Sequence, residues 1–306
     1  MSEHFLTDDT KATLLLCGVF SGDRSIKALS QAKYHTLARC LAREHMRPSD
    51  LLDTNNVAQV ARGSGLDTEH LQALLSRGAQ LGFAVEEWER NGIWLLSRSD
   101  EDYPQRYKQH LKDQAPPLLY GIGDRSLMHR GGLAVVGSRN VDADGEAFTH
   151  NVGRLCASQQ VPVISGGARG VDQTAMQGAL SAGGVSVGVL AENLLKKSLE
   201  KSSRSAIAEK RLLLISHCHP TARFTVGTAM ARNKLIYALA DHALVVSCEH
   251  KKGGTWAGAE EELRRPLPVP VFVRQGNDAP QGNNELLALG AQAWSEEGGV
   301  RESGVR

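Results

Sequence analysis

The chain has 306 residues, 41% of them apolar and 23% charged, with 35 Lys and Arg against 34 Asp and Glu. That length suits about two domains, the composition is that of a soluble globular protein, and no apolar run approaches the roughly 20 residues that cross a bilayer. A net charge of +1 excludes a surface coated in basic residues, so any polynucleotide would be gripped by a local patch.

The opening Met1-Ser2-Glu3-His4 lacks the basic and apolar regions of a signal peptide, which makes the cytoplasm the expected location. Five scattered cysteines, Cys17, Cys40, Cys156, Cys218 and Cys248, fit buried thiols in a reducing compartment better than a disulfide framework.

Residues 1–89 read as a small all-α domain. Leu71, Leu74 and Leu75 follow helical spacing behind the N-cap signal Asp67-Thr68-Glu69. Arg62-Gly63-Ser64-Gly65-Leu66 breaks two helices, in the manner either of a packing module with glycine turns or of a hairpin that meets a nucleic-acid backbone. Residues 90–132 read as a connector: Ile93-Trp94-Leu95-Leu96 is a short strand, and Tyr103-Pro104 and Pro116-Pro117 mark extended chain running toward Leu118-Leu119-Tyr120-Gly121.

Residues 133–295 alternate between strand and helix, and 296–306 read as a flexible tail. Strands are expected at 133–136, 161–164, 185–190, 212–215, 243–246 and 269–273, and helices around 143–158, 172–182, 228–239 and 255–264. Near-continuous apolar strands alternating with helices imply an α/β fold with a mainly parallel sheet and helices on both faces. The cations Lys196, Lys197, Lys201, Arg204, Lys210 and Arg211 are interrupted by Glu200 and Glu209, the pattern of a solvated helix and loop.

Three glycine-punctuated loops follow apolar strands: Gly137-Ser138-Arg139, then Ser165-Gly166-Gly167-Ala168-Arg169-Gly170-Val171-Asp172, then Gly253-Gly254-Thr255. Ligands of open parallel sheets sit outside the carboxyl ends of the strands, where strand order reverses, so the three loops can converge on one crevice. Loops of this kind bring backbone N–H groups and helix N-termini to a phosphate, and Arg139 and Arg169 add charge that can grip it. A dinucleotide fingerprint is missing, because the first loop is not G-x-G-x-x-G and no acidic residue follows where a ribose would be held.

The run from Leu133 to Leu263 resembles the DNA processing protein A family (DprA or Smf), a Rossmann-like branch of a superfamily that includes the LOG-type nucleotide hydrolases. Gly137-Ser138-Arg139 is similar to the family's GSR loop and residues 165–172 to its SG-x-ARG-[IV]-D motif; Arg232-Asn233-Lys234 falls at its RNR motif and Gly253-Gly254-Thr255 near its SG-[ST] loop. Upstream, Gly92–Leu96, Asp102-Tyr103-Pro104 and Pro116–Gly121 resemble the family's approach to the core. Downstream, Gly282–Leu287 with Gly290-Ala291 resembles its closing helix, so the likeness covers about residues 90–292.

Departures are visible as well. Lys234 stands for the last arginine of RNR, keeping the charge and losing the planar fork. Ala229-Met230-Ala231 replaces an aromatic and a proline, residues 191–204 lack a tyrosine-proline pattern, and the winged-helix-like domain that ends most members is not expected beyond Trp294.

The resemblance implies binding of single-stranded DNA and its delivery to a RecA-type recombinase in uptake, recombination or repair, by a protein that pairs with a second copy. The implied DNA-binding residues are Gly137, Ser138, Arg139, Ser165, Gly166, Gly167, Arg169, Gly170, Asp172, Arg232, Asn233, Lys234, Gly253, Gly254 and Thr255. Among the aromatic residues near the loops, Phe148, Phe224, Tyr237 and Trp256, the last is either a ring that stacks a base or a packing residue.

A competing reading makes the protein a nucleoside monophosphate phosphoribohydrolase, or a nucleotide sensor in defence signalling. Gly253-Gly254-Thr255 with Glu260 echoes the PGG-x-GT-x-x-E signature of the LOG-type enzymes, in which Glu260 would stabilise an oxocarbenium-like ribose or activate water while Arg232 held the 5′-phosphate. Lys252 in place of the proline departs from that signature. No cofactor and no metal is expected, since alternate residues of His217-Cys218-His219 point in different directions and no second cluster completes a tetrahedral site; the lack of a G-x-S-x-G elbow and of a Walker A loop disfavours a serine hydrolase and a P-loop NTPase.

Overall fold

The computed structural model describes residues 6–20, 26–276 and 279–295. The expected tail at 296–306, the opening Met1–His4 and the segments 21–25 and 277–278 lie outside the described residues. The chain divides into two compact units, one drawn from 1–103 and 112–120, the other from 104–111 and 121–306. Proline-rich chain between 104 and 120 therefore serves both.

The first unit holds α1 (Asp8–Cys17), α2 (Gln31–Arg43), α3 (Thr54–Ser64), α4 (Thr68–Leu75) and α5 (Gly78–Arg90), followed by β1 (Trp94–Ser97) and the start of β2 (Leu118–Ile122). Four of these helices begin where a side-chain oxygen accepts an otherwise orphaned N–H: Thr7, Ser30, Asp53 and Asp67 each cap the first turn. The break expected near 62–66 is a helix C-cap, with Gly65 in the left-handed region at φ +69°. Leu16, Leu37, Leu51, Val57, Val60, Leu71 and Leu74 form the core. Arg77 is buried at its edge, donating to the Leu74 and Gly18 carbonyls at 3.2 Å each and to that of Leu15, so its charge is solvated by three carbonyls at helix ends.

The second unit opens with α6 (Gln105–Leu111), then runs β3 (Leu133–Gly137), α7 (Ala143–Ser158), β4 (Val163–Ser165), α8 (Val171–Ser181), β5 (Ser186–Leu190), α9 (Leu194–Leu199), α10 (Lys201–Ala208), β6 (Leu212–Ser216), α11 (Val226–Leu239), β7 (His242–Ser247), α12 (Gly253–Leu263), β8 (Val271–Val273), α13 (Gln281–Ala288) and β9 (Gln292–Ala293). Its strands lie in the order β6-β5-β4-β3-β7-β8-β9, every adjacent pair parallel. All residues of β5, β6 and β7 are buried, as strands covered by helices on both faces require. The α/β fold with a Rossmann-like, mainly parallel sheet is the one the alternation implied.

Element ends differ from the sequence reading for local reasons. The strands expected at 161–164 and 269–273 begin later, at Val163 and Val271, each just after a proline that has no N–H to give to a ladder. Helix α11 starts before 228 because Thr225 and Thr228 form a capping box: the Thr228 N–H reaches Thr225 Oγ1 at 3.0 Å and the Thr225 N–H reaches Thr228 Oγ1 at 3.1 Å. Strand order reverses between β3 and β7. Successive connections from β3 lead away through β4, β5 and β6, whereas β7 lies on the other side of β3. In sheets of this kind the ligand crevice lies at that switch point.

Candidate functional site

The first loop leaves β3 and is fixed to β7 by the Ser138 N–H, which donates to the Ser247 carbonyl at 2.8 Å. Gly137 is required by proximity, since a Cβ there would lie 2.5 Å from Val171 Cγ2 at the start of α8. The second loop leaves β4 and returns to the first: the Val171 N–H donates to the Ser138 carbonyl at 3.3 Å. Gly170 adopts φ +85°, and a Cβ there would also meet the Ser138 and Arg139 carbonyls at 2.5 and 2.7 Å. The third loop forms the first turn of α12. Thr255 Oγ1 donates to the Gly137 carbonyl at 3.0 Å, and Asn233 Nδ2 on α11 donates to the Gly254 carbonyl at 2.8 Å. The second and third glycine loops, far apart in sequence, are therefore each bonded to the first, past the carboxyl ends of β3, β4 and β7.

Charge is divided between surface and interior. Arg139 and Arg169 are exposed. Arg169 donates to Asn140 Oδ1, which braces it against the first loop, and the Arg139 guanidinium lies 4.8 Å from the centre of the Phe224 ring. Arg232 points inward. Its Nη1 donates to the Gly166 carbonyl and, at 2.8 Å, to that of Val189, which ties the ends of β4 and β5 together. Asp172 Oδ2 lies 4.0 Å from the same nitrogen.

Burial pushes the Asp172 carboxyl above its usual range, against the pull of Arg232 and the Ala168 and Gly166 amides. Burial likewise pulls the Arg232 guanidinium down, with Asp172 opposing. Ser165 is also buried, its hydroxyl donating to the Val135 carbonyl at 2.6 Å. Asn233 and Lys234 are half-buried; burial lowers the Lys234 ammonium pKa, with Glu261 opposing.

Sequence reasoning left two alternatives open for Trp256, and the structure makes it a packing residue. Trp256 is 5% exposed, its Nε1 donates to Glu260 Oε2 at 3.0 Å, and its ring lies 4.8 Å from that of His250. Glu260 also pairs with Arg264 at 2.7 Å, so both its oxygens are engaged along its own helix. Tyr237 is buried. His217, weighed in the sequence only as a metal ligand, lies past the end of β6; burial, followed by Lys234 and Arg232, pulls its imidazole down to about 4. Among the described residues no group of three His, Cys, Asp or Glu gathers as a metal site would.

Fold and site define a Rossmann-like α/β protein in which a second and a third glycine loop are each bonded to the first, with two exposed arginines on these loops. The chain belongs to the DNA recombination-mediator protein A family, whose family model matches residues 94–302. It is 29% identical over 247 residues to protein Smf of Escherichia coli, covering 76% of this chain and 65% of that one. It is 30% identical over 186 residues to the putative DNA processing protein DprA of Mycobacterium tuberculosis, covering 58% of this chain and 46% of that one. The chain thus spans about half to two thirds of the length of these curated relatives.

Among solved structures, DNA processing protein A from Streptococcus pneumoniae matches with a TM-score of 0.73 and 21% identity over 94% of this chain and 95% of that one, a likeness of fold. DNA processing protein A from Helicobacter pylori, described for its single-stranded DNA binding mode, matches with a TM-score of 0.54 and 27% identity over 66% of this chain and 90% of that one. No helix among the described residues is long and apolar enough to cross a membrane.

Proposed function

We propose that this protein binds single-stranded DNA through its phosphates, in DNA uptake, recombination or repair. The observation that carries the reading is the bonding of the second and third glycine loops to the first, with Arg139 and Arg169 exposed on these loops. Loop amides and the N-termini of α8 and α12 offer donors to phosphate oxygens, and the two arginines supply planar forks. Relatedness to a protein described for single-stranded DNA binding supports the same ligand. In this reading Arg139, Arg169, Gly137, Ser138, Gly167, Gly170, Gly253, Gly254 and Thr255 face the strand. Ser165, Gly166, Asp172 and Arg232 shape the loop from within, and Asn233 and Lys234 hold the third loop and the wall behind it. Delivery to a RecA-type recombinase and pairing with a second copy belong to the same proposal.

The phosphoribohydrolase reading is less favoured, because Glu260 is engaged by Trp256 and Arg264 and Arg232 by backbone carbonyls, leaving neither turned to a ribose 5′-phosphate. The deciding experiment measures single-strand affinity by fluorescence anisotropy across a salt series, beside an assay for base released from nucleoside monophosphates. Steeply salt-dependent binding that is weakened in Arg139→Ala is the expected result. Weak, salt-insensitive binding together with base release would overturn it.

A further inference from the structure

The crevice has an apolar margin as well as a charged one. Phe224, Val226 and Met230 are 38%, 73% and 40% exposed, three large apolar side chains within one short stretch of chain. This stretch is rigid at its centre, because the capping box of Thr225 and Thr228 sets the first turn of α11. An apolar residue just before an N-cap ordinarily folds back onto the fourth helical residue; here that residue is Ala229, a small partner. The Phe224 ring lies over the Arg139 guanidinium instead, at 4.8 Å. Met230 Sδ lies 3.7 Å from where a Cβ on Gly254 would sit, so it borders the third loop. The shelf therefore runs from the first glycine loop to the third.

The occupant follows from the charge around it. Exposed Arg139 lies over the Phe224 ring, exposed Arg223 precedes it in the chain, and exposed Arg169 is braced against the loop that carries Arg139, so cations accompany this apolar surface. A ligand that matches both is a polyanion that presents flat apolar faces. Unpaired bases on a phosphodiester strand have that chemistry, whereas a duplex hides its base faces in the stack. Resting on the single-strand reading above, we propose that Phe224, flanked by Val226 and Met230, is the platform on which this protein stacks unpaired bases, and that it sets the preference for single strands over duplex. Arg139 then serves twice, binding phosphate and holding the ring by a cation–π contact.

The test compares a labelled oligothymidylate, an abasic phosphodiester strand of equal length and the corresponding duplex, using anisotropy at one salt concentration. Phe224→Ala is expected to weaken oligothymidylate binding about tenfold while leaving the abasic strand unchanged. Phe224→Trp is expected to restore the difference. The slope of affinity against salt stays constant in both variants, since no phosphate contact is removed. Equal losses for the base-bearing and abasic strands, or no loss for either, would overturn the platform and leave phosphate binding standing. A wild-type protein that binds none of the three probes overturns the single-strand reading itself, and the platform with it.

Discussion

Arg232 and Gly166 are fitted to each other: Nη1 of the arginine donates to the glycine carbonyl, and a Cβ at position 166 would lie 1.7 Å from that same nitrogen. Only a residue without a side chain lets the guanidinium reach the end of β4. The charge so buried is met by two carbonyls and by Asp172, the arrangement that offsets a desolvation cost of several kcal/mol. The second glycine loop is thus shaped from beneath by a residue that sequence spacing alone would place at the surface.

Gly166→Ala is expected to lower stability by about 3 kcal/mol, because the new methyl drives Arg232 off its partners. Urea unfolding measures it. Gly78→Ala is the control: a Cβ there meets nothing within 4 Å, and its effect should stay within about 0.5 kcal/mol.

Arg232→Ala is expected to cost about 3 to 5 kcal/mol by stranding Asp172 in the interior without its cation. Arg232→Ala,Asp172→Asn should recover part of that loss, since the neutral amide needs no partner charge. If the double variant is as unstable as the sum of the singles, the two side chains act independently.

Arg139→Ala and Arg169→Ala are expected to leave the unfolding midpoint nearly unchanged, both side chains being exposed. Each should reduce the slope of log affinity against log salt for a single strand by about 0.7, the value of one phosphate contact. An unchanged slope would show that the arginine touches no phosphate.

His217 ties stability to pH. Its imidazole titrates near 4 in the folded chain, against about 6.5 when unfolded, because burial and the neighbouring Lys234 and Arg232 disfavour its charge. A depressed folded pKa contributes stability that is complete above about pH 6.5 and is lost as pH falls toward 4, to a limit of about 3 kcal/mol. His217→Gln should flatten the stability profile across that window relative to the wild type, leaving the titrations common to both, those of the carboxylates and of His35, whose pKa burial also lowers.

Much of this protein is written locally. Alternation of apolar runs with helical spacing determined the parallel sheet, because strands covered on both faces have no polar face to alternate, and Val189 or Leu214 can be read as buried without a partner being named. Glycines at strand ends determined the three loops, since backbone geometry at such turns is a property of the residue itself, as at Gly170. Tertiary structure alone decided what each polar or aromatic side chain touches. Arg232 finds its acceptor 66 residues away, Trp256 turns inward to Glu260, and Phe224 lies over an arginine from another loop. A motif specifies residue types and spacing, but whether an arginine meets a phosphate or a carbonyl depends on how closely two distant backbones approach, and that distance is fixed only when the core closes.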